Sequence, residues 1–292
     1  MTVLIEINGA STAGTKNTGF SREYLEGATV NYALTKGSFS FDNKDDAKNL
    51  AKWKEAIKNK DVVPFFSVEA NLENSNTEPT YYEGRTVKIK TKAARKGKKF
   101  THHLGIDSHS SLKSYEDSEY NRVIEFTEDG YIKAVIDSDG RVRGQKLNRL
   151  DVGIRKDATF ETPASTDVEF SYDSFKEFEN NGYIFEPSFD TDDIEGIFNI
   201  VLEITGATGN SIGFKAYEKS EMTPIENLEL EDIIVLDADG LPQTAAGLTF
   251  TKGAYILNGT SFVTGTLSTV VVEKTNIMYE AEKASFEVTV TT

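Results

Sequence analysis

Short β-prone runs closed by Asp, Asn and Gly turns recur along this chain every 8 to 15 residues, and that spacing constrains the fold more than any other feature. Residues 123–126 and 131–136 flank Glu128-Asp129-Gly130, Asp137-Ser138-Asp139-Gly140 follows at once, and Asp237-Ala238-Asp239-Gly240 and Asn258-Gly259 punctuate the second half. Asp and Gly supply the backbone geometry that such turns need. Short strands at this interval belong to sandwiches and barrels. The expected fold is mainly β with one clear α-helix, built as β-sandwich or barrel domains. Phe286-Glu287-Val288-Thr289-Val290 gives the C-terminal domain the ending of an immunoglobulin-like or other β-domain. In the first half, 28–35 reads as a strand with Val30, Tyr32 and Leu34 on one face. Residues 62–70, 85–91, 99–104 and 147–154 read as further strands. The helix is expected over 43–59, where Leu50, Trp53 and Ile57 make one apolar stripe and Asp45 and Asp46 suit the positive end of the helix dipole. Trp53 is expected to be a core anchor.

A length of 292 residues suits two domains. Pro163 and the small polar residues at 157–166 predict the boundary, giving an N-terminal β-rich domain (1–160) and an acidic C-terminal β-sandwich (161–292). The Gly-, Ser- and Thr-rich segment 8–27 has no period and reads as a long arm that could wrap a neighbour. Charge divides unevenly: 157–292 holds 6 Lys and 25 acidic residues, whereas 1–156 holds 26 basic and 22 acidic ones. One mildly basic and one strongly acidic half are complementary between copies of the same chain. The opening Met-Thr-Val-Leu-Ile-Glu-Ile predicts no secretory signal, and no stretch is apolar enough to predict a membrane span.

The strongest local feature is basic. Arg85, Lys88, Lys90, Lys92, Arg95, Lys96, Lys98 and Lys99 place eight positive charges in 15 residues with no acid among them. Pairing 85–91 with 99–104 makes this a hairpin with a basic tip. Three uses stay open: docking on the acidic half of an adjacent subunit, contact with a phosphate backbone, or solvated charges that protect a sheet edge. Phe100 is the aromatic nearby, which argues against a platform for stacking single-stranded bases.

Chemistry has little purchase on this sequence. There is no cysteine, which excludes disulfides and thiolate metal sites. His102, His103 and His109 cluster with Asp107, but adjacent strand residues face opposite ways, so no metal site is expected. The two Asp-x-Asp-Gly turns echo calcium loops, yet their twelfth positions are Asn148 and Leu248 rather than Glu. No nucleophile elbow or glycine-rich phosphate loop occurs. Neither catalytic residues nor a cofactor is expected.

The run from Gly37 through Phe100 combines a Lys-rich amphipathic helix, the strand Val63-Pro64-Phe65-Phe66, a polar loop and a basic hairpin. It is followed by the paired turns of Phe126–Gly144 with Arg141-Val142-Arg143-Gly144. This pattern, over about residues 28–205, resembles structural proteins of tailed phages that infect Bacteroidetes, including crAss-like phages. The resemblance implies a non-enzymatic virion component present in many copies and made in the host cytoplasm; the long arm, the basic hairpin and the opposite charge of the two halves make a tail tube or neck-ring subunit the expected type. Its partners would be copies of itself and other virion proteins, close to packaged DNA and to no membrane. A capsid decoration protein and a cell-surface glycan-binding β-sandwich are the alternatives.

Overall fold

The protein is described from a computed structural model, for residues 7–8, 27–65, 71–103, 105–274 and 277–289. The expected arm at 8–27 falls almost wholly outside these residues, as do 66–70 of the strand expected at 62–70. The chain divides into two compact units, Met1–Ile194 and Glu195–Thr292. Both are built mostly from strands, so the mainly-β expectation holds.

Unit 1 contains β1 (Ile7–Asn8), β2 (Thr29–Thr35), α1 (Lys44–Ala47), α2 (Leu50–Lys58), β3 (Val62–Phe65), β4 (Asn71–Asn74), β5 (Thr80–Glu83), β6 (Lys88–Lys92) and β7 (Gly97–His102). It continues with α3 (Ile106–Lys113), β8 (Arg122–Thr127), β9 (Ile132–Ile136), β10 (Val142–Arg143), β11 (Gln145–Val152), β12 (Thr166–Tyr172), α4 (Phe175–Asn181) and β13 (Gly182–Phe185). Eleven of its strands form one half-barrel sheet in the order β1-β13-β9-β8-β11-β12-β7-β4, with β10 beside β9 and β2 between β3 and β8. The sheet forks at β8. One edge of β8 pairs along its length with β2. The other edge is shared, with Arg122 and Val123 against β11 and Glu125 and Phe126 against β9. Gly144 lies in the fork, where a Cβ would come within 2.9 Å of the Val123 backbone, so only glycine lets the two strands approach.

An aromatic core fills the half-barrel. Tyr32 lies against Phe100 and Phe170 at ring centroid distances of 4.7 and 5.0 Å. Trp53 is buried between Phe41 and Phe126, and its indole N–H donates to the Ala47 carbonyl at 2.8 Å, so it anchors the core as expected. The single helix expected at 43–59 is broken in two. Asn49 is extended (φ −104°, ψ 116°) and its side chain accepts from the Ala51 N–H, as Asn43 does for α1. A side chain that competes this well for backbone donors starts a new helix rather than continuing the old one.

The domain boundary expected at 157–166 is corrected to Ile194/Glu195. Residues on either side of the expected break belong to β11 and β12, which pair from Leu147–Tyr172 to Val152–Val168. Pro163 and its small neighbours form the connection of this hairpin, not a linker. Strands β12 and β13 therefore bring acidic residues 157–194 into the same unit as the basic strands. Unit 1 holds 27 basic and 33 acidic residues, and unit 2 holds 5 and 14, so the charge contrast between units is small.

Unit 2 comprises β14 (Ile197–Ala207), β15 (Ser211–Glu218), β16 (Ile233–Asp237), β17 (Ala245–Thr251), β18 (Ala254–Gly259), β19 (Gly265–Thr269), β20 (Val272–Lys274), β21 (Ile277–Ala281) and β22 (Ala284–Phe286). A six-stranded sheet, β17-β18-β15-β14-β21-β20, and a three-stranded sheet, β16-β19-β22, enclose Ile212, Phe214, Leu257, Leu267 and Phe286. The final strand is shorter than the expected 285–290. The Asp137–Gly140 and Asp237–Gly240 turns are alike. In each, the first Asp accepts two backbone N–H groups and the Gly has φ above +80°, the geometry of a tight Asp-Gly turn.

Candidate interaction surface

The eight expected cations do not share one hairpin. Strand β6 pairs with β5, as a two-stranded sheet of its own, with Tyr81 opposite Lys90, Tyr82 opposite Ile89 and Glu83 opposite Lys88. The Gly84 N–H donates to the Val87 carbonyl at 2.8 Å and closes the turn on Arg85 and Thr86. The pairing of 85–91 with 99–104 is thereby corrected. Strand β7 carries Phe100 and His102, both buried against Tyr32, and is drawn into the main sheet between β12 and β4. Strand β6, Lys-Ile-Lys-Thr-Lys, has one apolar side chain and cannot fill a core position. Its nearest available partner is the run Thr-Tyr-Tyr-Glu just before it.

Every residue of the β5–β6 ribbon is exposed. Pleating places Tyr82 and Ile89 on one face, 62% and 53% exposed, and Tyr81, Glu83, Lys88 and Lys90 on the other. Lys88 is engaged there, 2.5 Å from Glu83 and 4.8 Å from the centre of the Tyr81 ring. Among the described residues, Arg85, Lys90, Lys92 and Arg95 have no carboxylate partner. An isolated hairpin is marginal in water, and an aromatic–aliphatic pair at the end of one is stabilised when something covers it. Sequence reasoning missed Tyr81 and Tyr82. The signal is present in the β-prone Thr80-Tyr81-Tyr82 ahead of Gly84, a run that falls between the expected polar loop and the strand expected at 85–91.

The other cations face inward or along the main sheet. Lys96 lies 5.7 Å from the Tyr172 ring and 5.5 Å from that of Phe178. Lys99 pairs with Asp167 at 3.1 Å, and Lys156 reaches the same carboxylate at 2.8 Å. Partial burial pushes Asp167 up, but the bonds from Lys156, Lys99 and Thr101 prevail and hold it at about 2. Arg122 with Glu177 and Lys146 with Asp173 repeat this pairing of basic and acidic halves within one unit. Much of the complementarity visible in the sequence is thus consumed inside unit 1.

Lys98 is corrected from a surface contact to a core ion. It is 5% exposed, and its ammonium bonds to the equally buried Glu125 and, at 2.8 Å, to Thr29 Oγ1. Glu125 also accepts from Thr29 Oγ1 at 2.9 Å and from the Tyr172 hydroxyl. Burial alone would raise the Glu125 carboxyl, but Lys98 and Lys133 overcome it and hold the group well below the carboxylate range. Burial pushes Lys98 down from its usual value. The ions are matched in the core by each other and by hydrogen bonds with Thr29 and Tyr172, which offset their desolvation. A cavity of about 10 Å³ beside it, lined by Glu125, Lys133, Gln145 and Lys96, has room for a single water at most.

The three histidines point to separate partners. His102 Nε2 meets the Tyr32 hydroxyl at 2.9 Å, His103 Nδ1 lies 3.4 Å from the Ala164 carbonyl, and His109 Nδ1 meets Thr166 Oγ1 at 2.9 Å. Burial, with a smaller push from His103, lowers His102 to about 4. Among the described residues no group of His, Asp and Glu is arranged to hold a metal ion. Compared with known protein families and with curated proteins, the chain matches none.

Proposed function

We propose that this protein is a structural subunit that assembles with copies of itself, with no chemistry of its own, as a component of a phage virion of tail tube or neck-ring type. The observation that carries the assembly reading is the β5–β6 ribbon. It presents Tyr82 and Ile89 in a cross-strand pair on one face and Lys90 on the other, with Arg85 at the turn and Lys92 at the strand end, and among the described residues all of these side chains are exposed. A surface of this kind is stabilised by burial in a partner. The virion setting is supported by the resemblance of residues 28–205 to phage structural proteins. Contacts that differ on the two participating surfaces build rings or filaments rather than closed two-fold dimers, which is what a tube or neck ring requires.

Light scattering of the native protein over a range of concentrations tests the reading. A mass that climbs to a defined multiple of 32.3 kDa, and falls again in moderate salt, is the expected result. A salt-independent mass of one chain at every concentration overturns it.

A further inference from the structure

The ribbon needs a receptor, and unit 2 offers a groove with matching chemistry. The parallel pairing of β14 with β21 sets Phe198 beside Tyr279, with ring centroids 6.2 Å apart. Ile277 lies at the start of the same strand, and the segment after β15 curls over this end of the sheet. Together they enclose a groove of about 510 Å³ whose apolar wall is Phe198, Ile277 and Tyr279 and whose rim carries Glu218, Glu221 and Glu226. That volume suits a bulky ligand or an inserted pair of side chains.

The groove is held in shape by the core. The Tyr255 hydroxyl donates to the Ile225 carbonyl and accepts from the Leu228 N–H, both at 3.0 Å, and so pins the segment that bears Glu226. Glu218 accepts from the Ser220 hydroxyl and from the N–H groups of Ser220 and Glu221. Burial pushes its carboxyl up, but these bonds bring it below its ordinary value and keep it an anion. Among the described residues, Glu221 and Glu226 have no cationic partner, and Lys274 at the groove is turned to Asp232 at 3.0 Å. Phe198 is 39% exposed.

From this geometry we infer that the groove of unit 2 receives the β5–β6 ribbon of a second copy of the chain, with Tyr82 and Ile89 against Phe198, Ile277 and Tyr279, and Arg85 and Lys92, at the two ends of the ribbon, against Glu218, Glu221 and Glu226. The inference rests on the self-assembly reading above and names its contact. Each surface joins an apolar centre to unpartnered charges of one sign, and the signs are opposite. A nucleic acid is the less favoured partner. One face of the Tyr81 ring is already covered by Lys88, and the apolar face of the ribbon carries an aliphatic side chain where stacked bases would need a second ring. The contact joins unlike surfaces, so each subunit keeps a free ribbon and a free groove for the next.

The test uses full-length protein in three forms. The first reverses the ribbon (Arg85→Glu, Lys90→Glu and Lys92→Glu). The second reverses the rim (Glu221→Lys and Glu226→Lys). The third removes the apolar anchor without changing charge (Tyr82→Ser). Trp53 fluorescence verifies the fold of unit 1 in the ribbon and anchor variants, and thermal unfolding followed by circular dichroism verifies that of unit 2 in the rim variant. Each alone is expected to associate at least about tenfold more weakly than wild type, and mixing the first two is expected to restore association, because each then meets the opposite charge. Since the chain has no cysteine, Thr86→Cys and Thr223→Cys proteins, mixed and oxidised, should yield a disulfide-linked heterodimer in preference to either homodimer. Wild-type assembly that all three variants retain, with no rescue and no preferred cross-link, overturns this contact and leaves the assembly reading standing. A wild type that never assembles overturns both. Retention of single-stranded DNA by wild type that the ribbon variant loses, without any change in mass, assigns the ribbon to nucleic acid and overturns the contact.

Discussion

Removing the Lys98 ammonium while leaving Glu125 is the sharpest perturbation of the unit 1 core. In Lys98→Met the alkyl chain is kept, and a carboxylate that is 5% exposed loses its closest cation. Lys133, at 3.9 Å, and the Tyr172 and Thr29 hydroxyls remain. Breaking one side of a buried pair costs about 3–5 kcal/mol, because the remaining charge stays desolvated. Lys133 offsets part of this, so about 3 kcal/mol is expected, or roughly 6–12 °C in Tm for a unit of this size. The double variant Lys98→Met, Glu125→Gln removes the buried pair, leaves Lys133 with the Phe178 ring 5.5 Å away, and keeps hydrogen-bonding capacity towards Tyr172 and Thr29. It is expected to be within about 1 kcal/mol of wild type. The assay is urea unfolding followed by Trp53, the one tryptophan, which is buried in unit 1 and reports that unit alone. A single variant as stable as wild type, or a double variant no more stable than the single, would refute the argument that a paired buried charge ties β7 to β8 in the core.

Other perturbations act at separate places in the fold. His102 stays neutral in the fold to about pH 4 but protonates near 6.5 when unfolded. The unfolded chain therefore binds more protons between those values, and unit 1 should lose about 3 kcal/mol as pH falls from 6.5 to 4, measured by denaturant midpoints. His102→Gln should flatten that window. The low values of Glu125 and Asp167 act with the same sign but only below their ordinary range, so further loss towards about pH 2 should persist in the variant. Gly144→Ala places a methyl within 2.9 Å of the Val123 backbone and should cost about 1–3 kcal/mol by thermal unfolding. Asn49→Ala removes the acceptor for the Ala51 N–H and should cost about 1 kcal/mol by the same measurement.

The strands and turns were legible because their signals are local. The Glu128-Asp129-Gly130 turn and the Trp53 anchor each depend on a few neighbouring residues, and the structure shows both, whereas of the expected Val30, Tyr32 and Leu34 face Val30 is only half-buried and Ala33 and Thr35 on the other face are buried as well. Partner choice depends on residues far apart and was not legible. Nothing near Lys98 announces Glu125, and nothing near Lys99 announces Asp167, so a run of like charges read as one surface when burial divides it between a ribbon and a core. The boundary failed for the same reason, since Pro163 marks a turn equally well in a linker and in a hairpin. The helix break was local and could have been read from Asn49, whose capping preference matches that of Asn43. On the candidate surface, Arg85, Lys90 and Lys92 were found from charge alone, whereas Tyr82 was missed because its role depends on which strand β6 pairs with.

The central claim is that the ribbon holds copies of this chain together. The most direct measurement is sedimentation of wild type beside a variant with Arg85, Lys90, Lys92 and Arg95 all changed to Gln, at low salt and at 0.15 M, where exposed charges are screened beyond about 8 Å. The account predicts a discrete oligomer for wild type at low salt, weakened by added salt, and a folded single chain for the variant under both conditions. A wild type and a variant that sediment alike, in both salts, would contradict it.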